Sequence, residues 1–271
     1  MNRDPLFDVD RRVVVVTGGM GRLGRRFSQA LRERGARVAV LDAAVDDATV
    51  TQRYGSERDG LLFLRADVTS AASLQAALSA VEKEWGPPHA LINNAAIDAP
   101  PDASPEENGP FERYPESSWD RVLAVNAKGV FLCAQTFGTV MARSGRGSIV
   151  NISSIYGVVS PDQRIYEYRR REGEAFFKPM AYGASKAALL NMTRYLATYW
   201  ASNGVRVNTL TLGGVFAGQD DRFVAEYSGR VPLGRMARDT EYDAAVIFLV
   251  SDASSYMTGS NLIVDGGWTA W

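Results

Sequence analysis

Three residues in the second half of the chain have the types and spacing for acid-base chemistry. Tyr182 and Lys186 form Tyr-x-x-x-Lys at the start of a helical stretch, so the i, i+4 spacing sets both on one face. A tyrosine normally titrates near 10, too high for an efficient base at neutral pH. An ammonium about 4 Å away contributes roughly 4 kcal/mol at an effective dielectric of 20, an upper figure worth about three pKa units, so Lys186 is expected to draw Tyr182 towards neutrality. Asn151-Ile152-Ser153-Ser154 closes the strand before that helix and would point the Ser154 hydroxyl to the same edge. Such a hydroxyl taken alone equally serves local backbone. Other reactive side chains are few. His89 is the only histidine and opens a strand, so a Ser-His-Asp or Cys-His mechanism would have to run entirely through it, and its position reads as structural. Cys133 is the only cysteine, which excludes an intramolecular disulfide, and with one histidine no metal site is expected.

A second constellation lies near the N-terminus. Thr17-Gly18-Gly19-Met20-Gly21-Arg22-Leu23-Gly24 follows an apolar run and precedes a helix. Glycines there let the backbone approach a pyrophosphate, and the helix N-terminus offers free N–H groups and partial positive charge. The next strand ends in Asp42, 24 residues after Gly18, about the spacing at which an acidic side chain accepts hydrogen bonds from an adenosine ribose. Together these point to a dinucleotide.

The elements that must hold these residues follow from periodicity. Short apolar runs at Val13 to Thr17, Arg37 to Leu41, Leu61 to Arg65, His89 to Ile92, Gly147 to Ile152, Val205 to Leu210 and Asn261 to Val264 alternate with amphipathic stretches. That alternation predicts an α/β fold, a single doubly wound Rossmann-type domain over residues 1–271 with a parallel seven-stranded sheet flanked by helices. A helix is expected over Arg22 to Arg34. Another puts Leu74, Ala77, Leu78, Val81 and Trp85 on one face, with Ser70 as N-cap and Gly86-Pro87-Pro88 as stop. Segments 98–115 and 158–179 break the rhythm and leave the carboxyl ends of strands, where open α/β sheets bind ligands, and segment 214–235 joins them. All three are expected to be substrate loops.

Composition narrows the partners. Thirty Lys and Arg against 31 Asp and Glu give a net charge of −1, without the basic excess that nucleic-acid binding leaves. The polar opening MNRDPLFDVDRR and the short run Val13 to Val16 predict neither secretion nor a membrane span, so a cytoplasmic location is expected.

These residues amount to a family resemblance. From the glycine turn to Thr258-Gly259-Ser260-Asn261-Leu262-Ile263-Val264-Asp265-Gly266-Gly267-Trp268 the chain resembles a short-chain dehydrogenase/reductase. Ala66-Asp67-Val68, Asn93-Asn94-Ala95-Ala96, Val125-Asn126-Ala127-Lys128-Gly129 and Asn208 to Gly213 carry it further. The resemblance implies a catalytic tetrad of Asn126, Ser154, Tyr182 and Lys186, with Ser154 orienting the substrate oxygen and Asn126 supporting a water-linked proton path. It implies a nicotinamide cofactor contacted by Gly18, Gly21, Arg22, Leu23, Gly24, Asp42, Asp67, Val68, Asn94, Ala95, Ala96, Tyr182, Lys186, Gly213 and Val215. Asp42 would repel a 2′-phosphate, so NAD is expected and NADP is not excluded, with Arg22 the competing influence. A homotetramer or dimer is implied, with helices near Ser118 to Met141 and Ala181 to Ser202 at the interface.

The chain also departs from the family pattern. Arg22 stands where short members have glycine, Leu212 where proline precedes Gly213, and Ala217 where a threonine contacts the nicotinamide carboxamide. Ser154 and Tyr182 are 28 residues apart because the loop carrying Arg164, Arg169, Arg170 and Arg171 is lengthened. Tyr156 to Pro161, Ile165-Tyr166-Glu167 and Asn261 to Trp268 resemble oxidoreductases of bacterial flagellin-glycan and nonulosonic-acid gene clusters, which implies a sugar or sugar phosphate. The expected reaction is hydride transfer between the nicotinamide and a secondary alcohol or ketone of such a carbohydrate. Ser154, Tyr182 and the four arginines are the expected substrate contacts, the arginines holding an anionic group. Two alternatives stay open: a dinucleotide-binding sensor or assembly subunit without turnover, and a sugar epimerase or dehydratase suggested by glycine at 18, 21 and 24.

Overall fold

The computed structural model describes residues 4–56, 58–98 and 104–271. Seven strands form one sheet: β1 (Val13–Thr17), β2 (Arg37–Asp42), β3 (Leu61–Arg65), β4 (Ala90–Asn93), β5 (Gly147–Ser154), β6 (Val205–Leu212) and β7 (Asn261–Val264). All pairs are parallel in the order β3-β2-β1-β4-β5-β6-β7, so the winding reverses between β1 and β4 and opens a crevice at their carboxyl ends. The helices are α1 (Arg22–Arg32), α2 (Asp47–Tyr54), α3 (Ala71–Trp85), α4 (Glu116–Leu123), α5 (Gly129–Cys133), α6 (Thr139–Arg143), α7 (Glu167–Arg171), α8 (Met180–Trp200), α9 (Asp221–Ser228) and α10 (Asp243–Val250). Helices α4 to α6 run on as one helical segment through π turns at Ala124–Lys128 and Ala134–Gly138.

Val13 to Val16 are buried on both faces of the sheet. Val14 and Val16 pack with Phe27 and Leu31 of α1 and Ile247 of α10; Val13 and Val15 pack with Leu74, Leu78 and Val81 of α3 and Phe137. Each such valine is worth about 1.5–3 kcal/mol of burial, which is why an apolar run lies in the middle of the sheet. Helix α3 begins as its sequence predicts, with Ser70 accepting from the Ser73 N–H at 3.3 Å, and stops at Gly86, whose φ of 84° favours glycine.

Several strand boundaries differ from the apolar runs, β2 ending one residue later at Asp42 and β4 at Asn93. Strands β5 and β6 each run two residues further, pairing Ser153 with Thr211 and Ser154 with Leu212, while Leu212 also pairs with Val264. A proline at 212 would lack the N–H that a residue between two parallel neighbours supplies, so leucine is the residue that keeps this extended strand. Strand β4 starts at Ala90, because His89 turns its ring back and accepts from the Val13 N–H through Nδ1 at 3.1 Å, a structural role.

A buried polar chain ties the sheet to α8. Asn93 donates to Asn151 at 2.8 Å, Asn151 donates to Thr193 at 2.8 Å, and Thr193 meets Thr209 at 2.7 Å. Ser153 adds a bond to the Lys186 carbonyl at 3.0 Å. Among the described residues no helix is long and apolar enough to cross a membrane.

Candidate active site

The glycine turn is locked to the end of β4. Thr17 Oγ1 accepts from the N–H groups of Asn94 and Ala95, both at 3.1 Å, and the Asn94 side chain donates to the carbonyls of Thr17 at 3.0 Å and Gly18 at 3.1 Å. A Cβ on Gly18, whose φ is 62°, would sit 2.6 Å from the Ala95 Cα, and one on Gly24 would sit 2.2 Å from the Gly18 carbonyl oxygen. Gly21 begins α1 without a side-chain cap, leaving the N–H groups of its first turn to other acceptors. Asp42 closes the arrangement by accepting from the N–H groups of Met20 and Ala44, each at 3.0 Å. This cradle has the features a dinucleotide pyrophosphate and its ribose need. Arg22 turns away to donate to the Phe216 carbonyl at 3.0 Å, which commits it to the segment after β6.

The predicted acid-base residues converge on one cleft of about 320 Å³, lined by Ser154, Tyr182 and Lys186 together with Leu23, Asn94, Ala96, Gly213 and Val215. The Ser154 hydroxyl, which accepts from the Tyr156 N–H at 3.2 Å, lies near enough to Tyr182 to favour its anion. Lys186 Nζ lies 5.8 Å from the Tyr182 ring centroid and donates to the Ile152 carbonyl at 2.8 Å. Asn126 is fully buried in the first π turn, where its side chain brackets Ile97 with two 2.8 Å bonds and donates to Ser185 at 3.0 Å. It does not line the cleft; it holds the chain after β4 against α8. Asp67 and Val68 lie outside the cleft as well. Asp67 accepts from the Thr69 N–H at 2.8 Å and hydroxyl at 2.7 Å, and Val68 fills the space above Gly129.

Burial governs the ionisation of the pair. It raises the Tyr182 pKa, the Asp98 carboxylate adds to that, and the Ser154 hydroxyl opposes it. It lowers Lys186 from 10.5 to about 8, against the pull of Asp98. The expected fall in the tyrosine's pKa is therefore not what this cleft produces on its own. Desolvation penalises the charged form of each group and is the largest cause of both shifts.

The four loop arginines require a correction: none lines the cleft. Arg164 forks onto Asp162 with two 2.9 Å bonds, Arg171 pairs with Glu167 at 3.2 Å, and Arg169 pairs with Glu174 while lying 3.9 Å from the centroid of Phe176. Arg170 donates to the carbonyls of Phe176 at 3.0 Å and Gln163 at 2.8 Å. Arg164, Arg169 and Arg171 pair with acids of their own segment, and segment 158–179 folds as a cover. Tyr166 packs on Phe176 and Phe223 with centroids 4.8 Å and 5.7 Å apart, in a cluster with Tyr227 and Trp268 that joins it to segment 214–235. Segment 98–115 reaches the same cover through the Phe177 N–H, which donates to the Asn108 carbonyl at 2.7 Å; residues 99–103 lie outside the described residues.

The charged pair that does face the cleft is Lys178 with Asp98, and Lys178 Nζ sits 5.1 Å from the Tyr182 ring centroid. Gln163 fixes it by bonding the Lys178 N–H and carbonyl, both at 2.9 Å. Lys178 carries a sequence signal, since it precedes Tyr182 by the same four residues that separate Tyr182 from Lys186. Tyr227 carries none.

Comparison with known proteins places this geometry. A family model described as "Enoyl-(Acyl carrier protein) reductase" matches residues 21–269. Cis-4-hydroxycyclohexanecarboxylate dehydrogenase of Sinomonas cyclohexanicum is 35% identical, over 96% of this chain and 97% of its own. D-threitol dehydrogenase of Mycolicibacterium smegmatis is 34% identical, over 97% and 95%. Among solved structures, a short chain dehydrogenase from Leptospira borgpetersenii with bound NAD+ superposes with a TM-score of 0.84 at 32% identity, covering 99% of this chain and 97% of the other.

Proposed function

The chain belongs to the short-chain dehydrogenase/reductase family, and from that premise we propose that it oxidises a secondary alcohol of a neutral polyhydroxylated substrate to the ketone, with NAD as the preferred cofactor. When bound, the nicotinamide supplies the hydride acceptor, and the protein supplies position and a proton path. Ser154 donates to the substrate oxygen and holds it against Tyr182, which lines the same cleft. Tyr182 takes the alcohol proton as the carbonyl forms. Lys186 fixes the cofactor ribose and favours the tyrosinate, and Asn126 keeps the Ile97 backbone and α8 in register beneath them. Asp42 faces the adenosine ribose, where its charge disfavours a 2′-phosphate.

The observation that carries this reading is the convergence of Ser154, Tyr182 and Lys186 in the cleft walled by the glycine turn's α1 and by Asn94 and Ala96. The cleft's charges support a neutral substrate: Lys178 is matched by Asp98, Lys186 is committed to the Ile152 carbonyl and the catalytic tyrosine, and the loop arginines are engaged elsewhere. The relative named for D-threitol supports a polyol. The described parts of segments 98–115, 158–179 and 214–235 would cover the substrate. A second copy of the chain would cover the exposed Phe131 of α5 and the Tyr195 and Tyr199 of α8, which makes a homo-oligomer through these helices part of the proposal.

Absorbance of the reduced nicotinamide, followed with a panel of neutral polyols, their phosphate esters and aldonic acids, tests it. Neutral polyols should turn over, and Tyr182→Phe should lose roughly 10²–10⁴-fold in kcat with NAD affinity kept. Turnover of Tyr182→Phe at the wild-type rate, or product formed with no net change in nicotinamide absorbance, would overturn the reading.

A further inference from the structure

A second cavity, of about 780 Å³, opens at the amino ends of the strands, on the edge of the sheet opposite the catalytic cleft. Four guanidinium groups and the chain's one histidine reach it, against the two carboxylates Asp10 and Asp252. Two of the arginines are structural. Arg206 donates to the carbonyls of Met257, Leu249 and Ser251 at 3.2, 3.0 and 3.1 Å, and Arg12 donates to the Val250 carbonyl at 3.1 Å and to Asp252 at 2.6 Å. The other two are not spent in this way. Arg146 makes no side-chain hydrogen bond or ion pair among the described residues, and Arg11 meets only Asp10, at 3.8 Å. Arg11 has a φ of 55°, the one positive φ outside glycine among the described residues, so the backbone presents that side chain at some cost in strain.

His89 adds a directed donor. Its Nδ1 accepts from the Val13 N–H at 3.1 Å, which fixes the proton of the neutral ring on Nε2, and that N–H has no acceptor among the described residues. Burial, and after it the guanidinium groups of Arg146 and Arg12, hold the ring below its ordinary pKa. A planar guanidinium fork and a ring N–H are the donors that suit a tetrahedral oxyanion.

We infer that this cavity binds a small molecule through a phosphate or diphosphate group, held by Arg146 and Arg11 with the His89 Nε2–H as the oriented donor. The site is separate from the glycine turn and does not depend on the reaction proposed above.

Because the chain has a single histidine, its imidazole proton resonance reports this cavity alone. Titration of the protein with inorganic pyrophosphate at constant ionic strength, in the presence and absence of saturating NAD, should shift that resonance saturably at one equivalent per chain. The apparent pKa of His89 should rise, since a bound anion opposes the field of Arg146 and Arg12. Arg146→Gln should weaken binding about tenfold, and Arg146→Lys should weaken it less. The inference fails if chloride at matched ionic strength produces the same shift, if Arg146→Gln binds as the wild type does, or if NAD abolishes the response.

Discussion

Replacing Lys186 with methionine should make the protein more stable at neutral pH while destroying the acid-base pair. Lys186 is 3% exposed, and its pKa falls from 10.5 to about 8. A difference of about 2.5 units is about 3 kcal/mol of folding free energy spent on burying the ammonium. Methionine keeps the length of the stem and loses the 2.8 Å bond to the Ile152 carbonyl, which costs about 1–2 kcal/mol. The variant should thus gain about 1–2 kcal/mol at pH 7. The sign of the pH dependence follows from proton counting. Below pH 8 both the folded and unfolded chains carry the proton and the wild type bears the full penalty. Between about 8 and 10.5 the unfolded chain still binds a proton that the folded chain has released, so wild-type stability rises with pH there and the variant's advantage shrinks, by about 2 kcal/mol between pH 7 and 10. Urea unfolding of the two proteins without cofactor, at one fixed protein concentration and at both pH values, measures the difference directly. A variant less stable than the wild type by the same amount at both pH values would refute the reasoning, since it would show that the ammonium is not held at a cost.

Asp42→Ala should narrow the preference for NAD over NADP in kcat/KM by removing the repelling charge, and should raise KM for both because the N–H groups of Met20 and Ala44 lose their acceptor; a wild type that favours NADP would sink the role given to Asp42. Changing Arg164, Arg169, Arg170 and Arg171 together to Gln should lower the urea midpoint and raise KM alike for neutral and anionic substrates, because these side chains hold the cover's own carbonyls and carboxylates. A KM increase confined to anionic substrates would show that one of them reaches the cleft.

The parts of the fold that could be read in the sequence are those whose cause is local. An apolar run such as Val13 to Val16 has one good solution in a chain of this composition, a strand buried on both faces, and Ser70 with Gly86 brackets α3 by backbone geometry alone. Strand ends are set differently. Ser153-Ser154 and Thr211-Leu212 remain in the sheet because the facing strand supplies hydrogen-bond partners, which a hydropathy pattern does not register. The placement of Ser154 opposite Leu212 at the cleft depends on that pairing. Segment 158–179 fails for a related reason: α7 is five residues long, and what holds the segment is a set of aromatic and arginine contacts with no period.

The catalytic residues and the charge of their cleft differ in the same way. Tyr182 and Lys186 are joined by one helical turn, so their proximity is a property of spacing, and the polar chain through Asn151 and Thr193 needs only to set that helix against the sheet. The pairing of Lys178 with Asp98 spans 80 residues and two loops, and no local rule anticipates it. Nor does residue type decide what the arginines bind. A guanidinium fork suits the carboxylate of Glu174 as well as it suits a substrate, and the nearer carboxylate has no translational entropy to lose. An arginine-rich segment that contains its own acids, Asp162, Glu167 and Glu174, will therefore satisfy itself before it recognises a ligand. With the arginines engaged elsewhere, what remains at the cleft is Lys178 neutralised by Asp98, Lys186 turned to the Ile152 carbonyl, the hydroxyls of Ser154 and Tyr182, and aromatic walls from Tyr156, Tyr166 and Tyr227. Hydroxyl donors beside apolar ring faces match a polyol, whose carbon edges and hydroxyl groups can each find their own kind, and a substrate bearing an uncompensated charge would have to enter such a cleft without a partner.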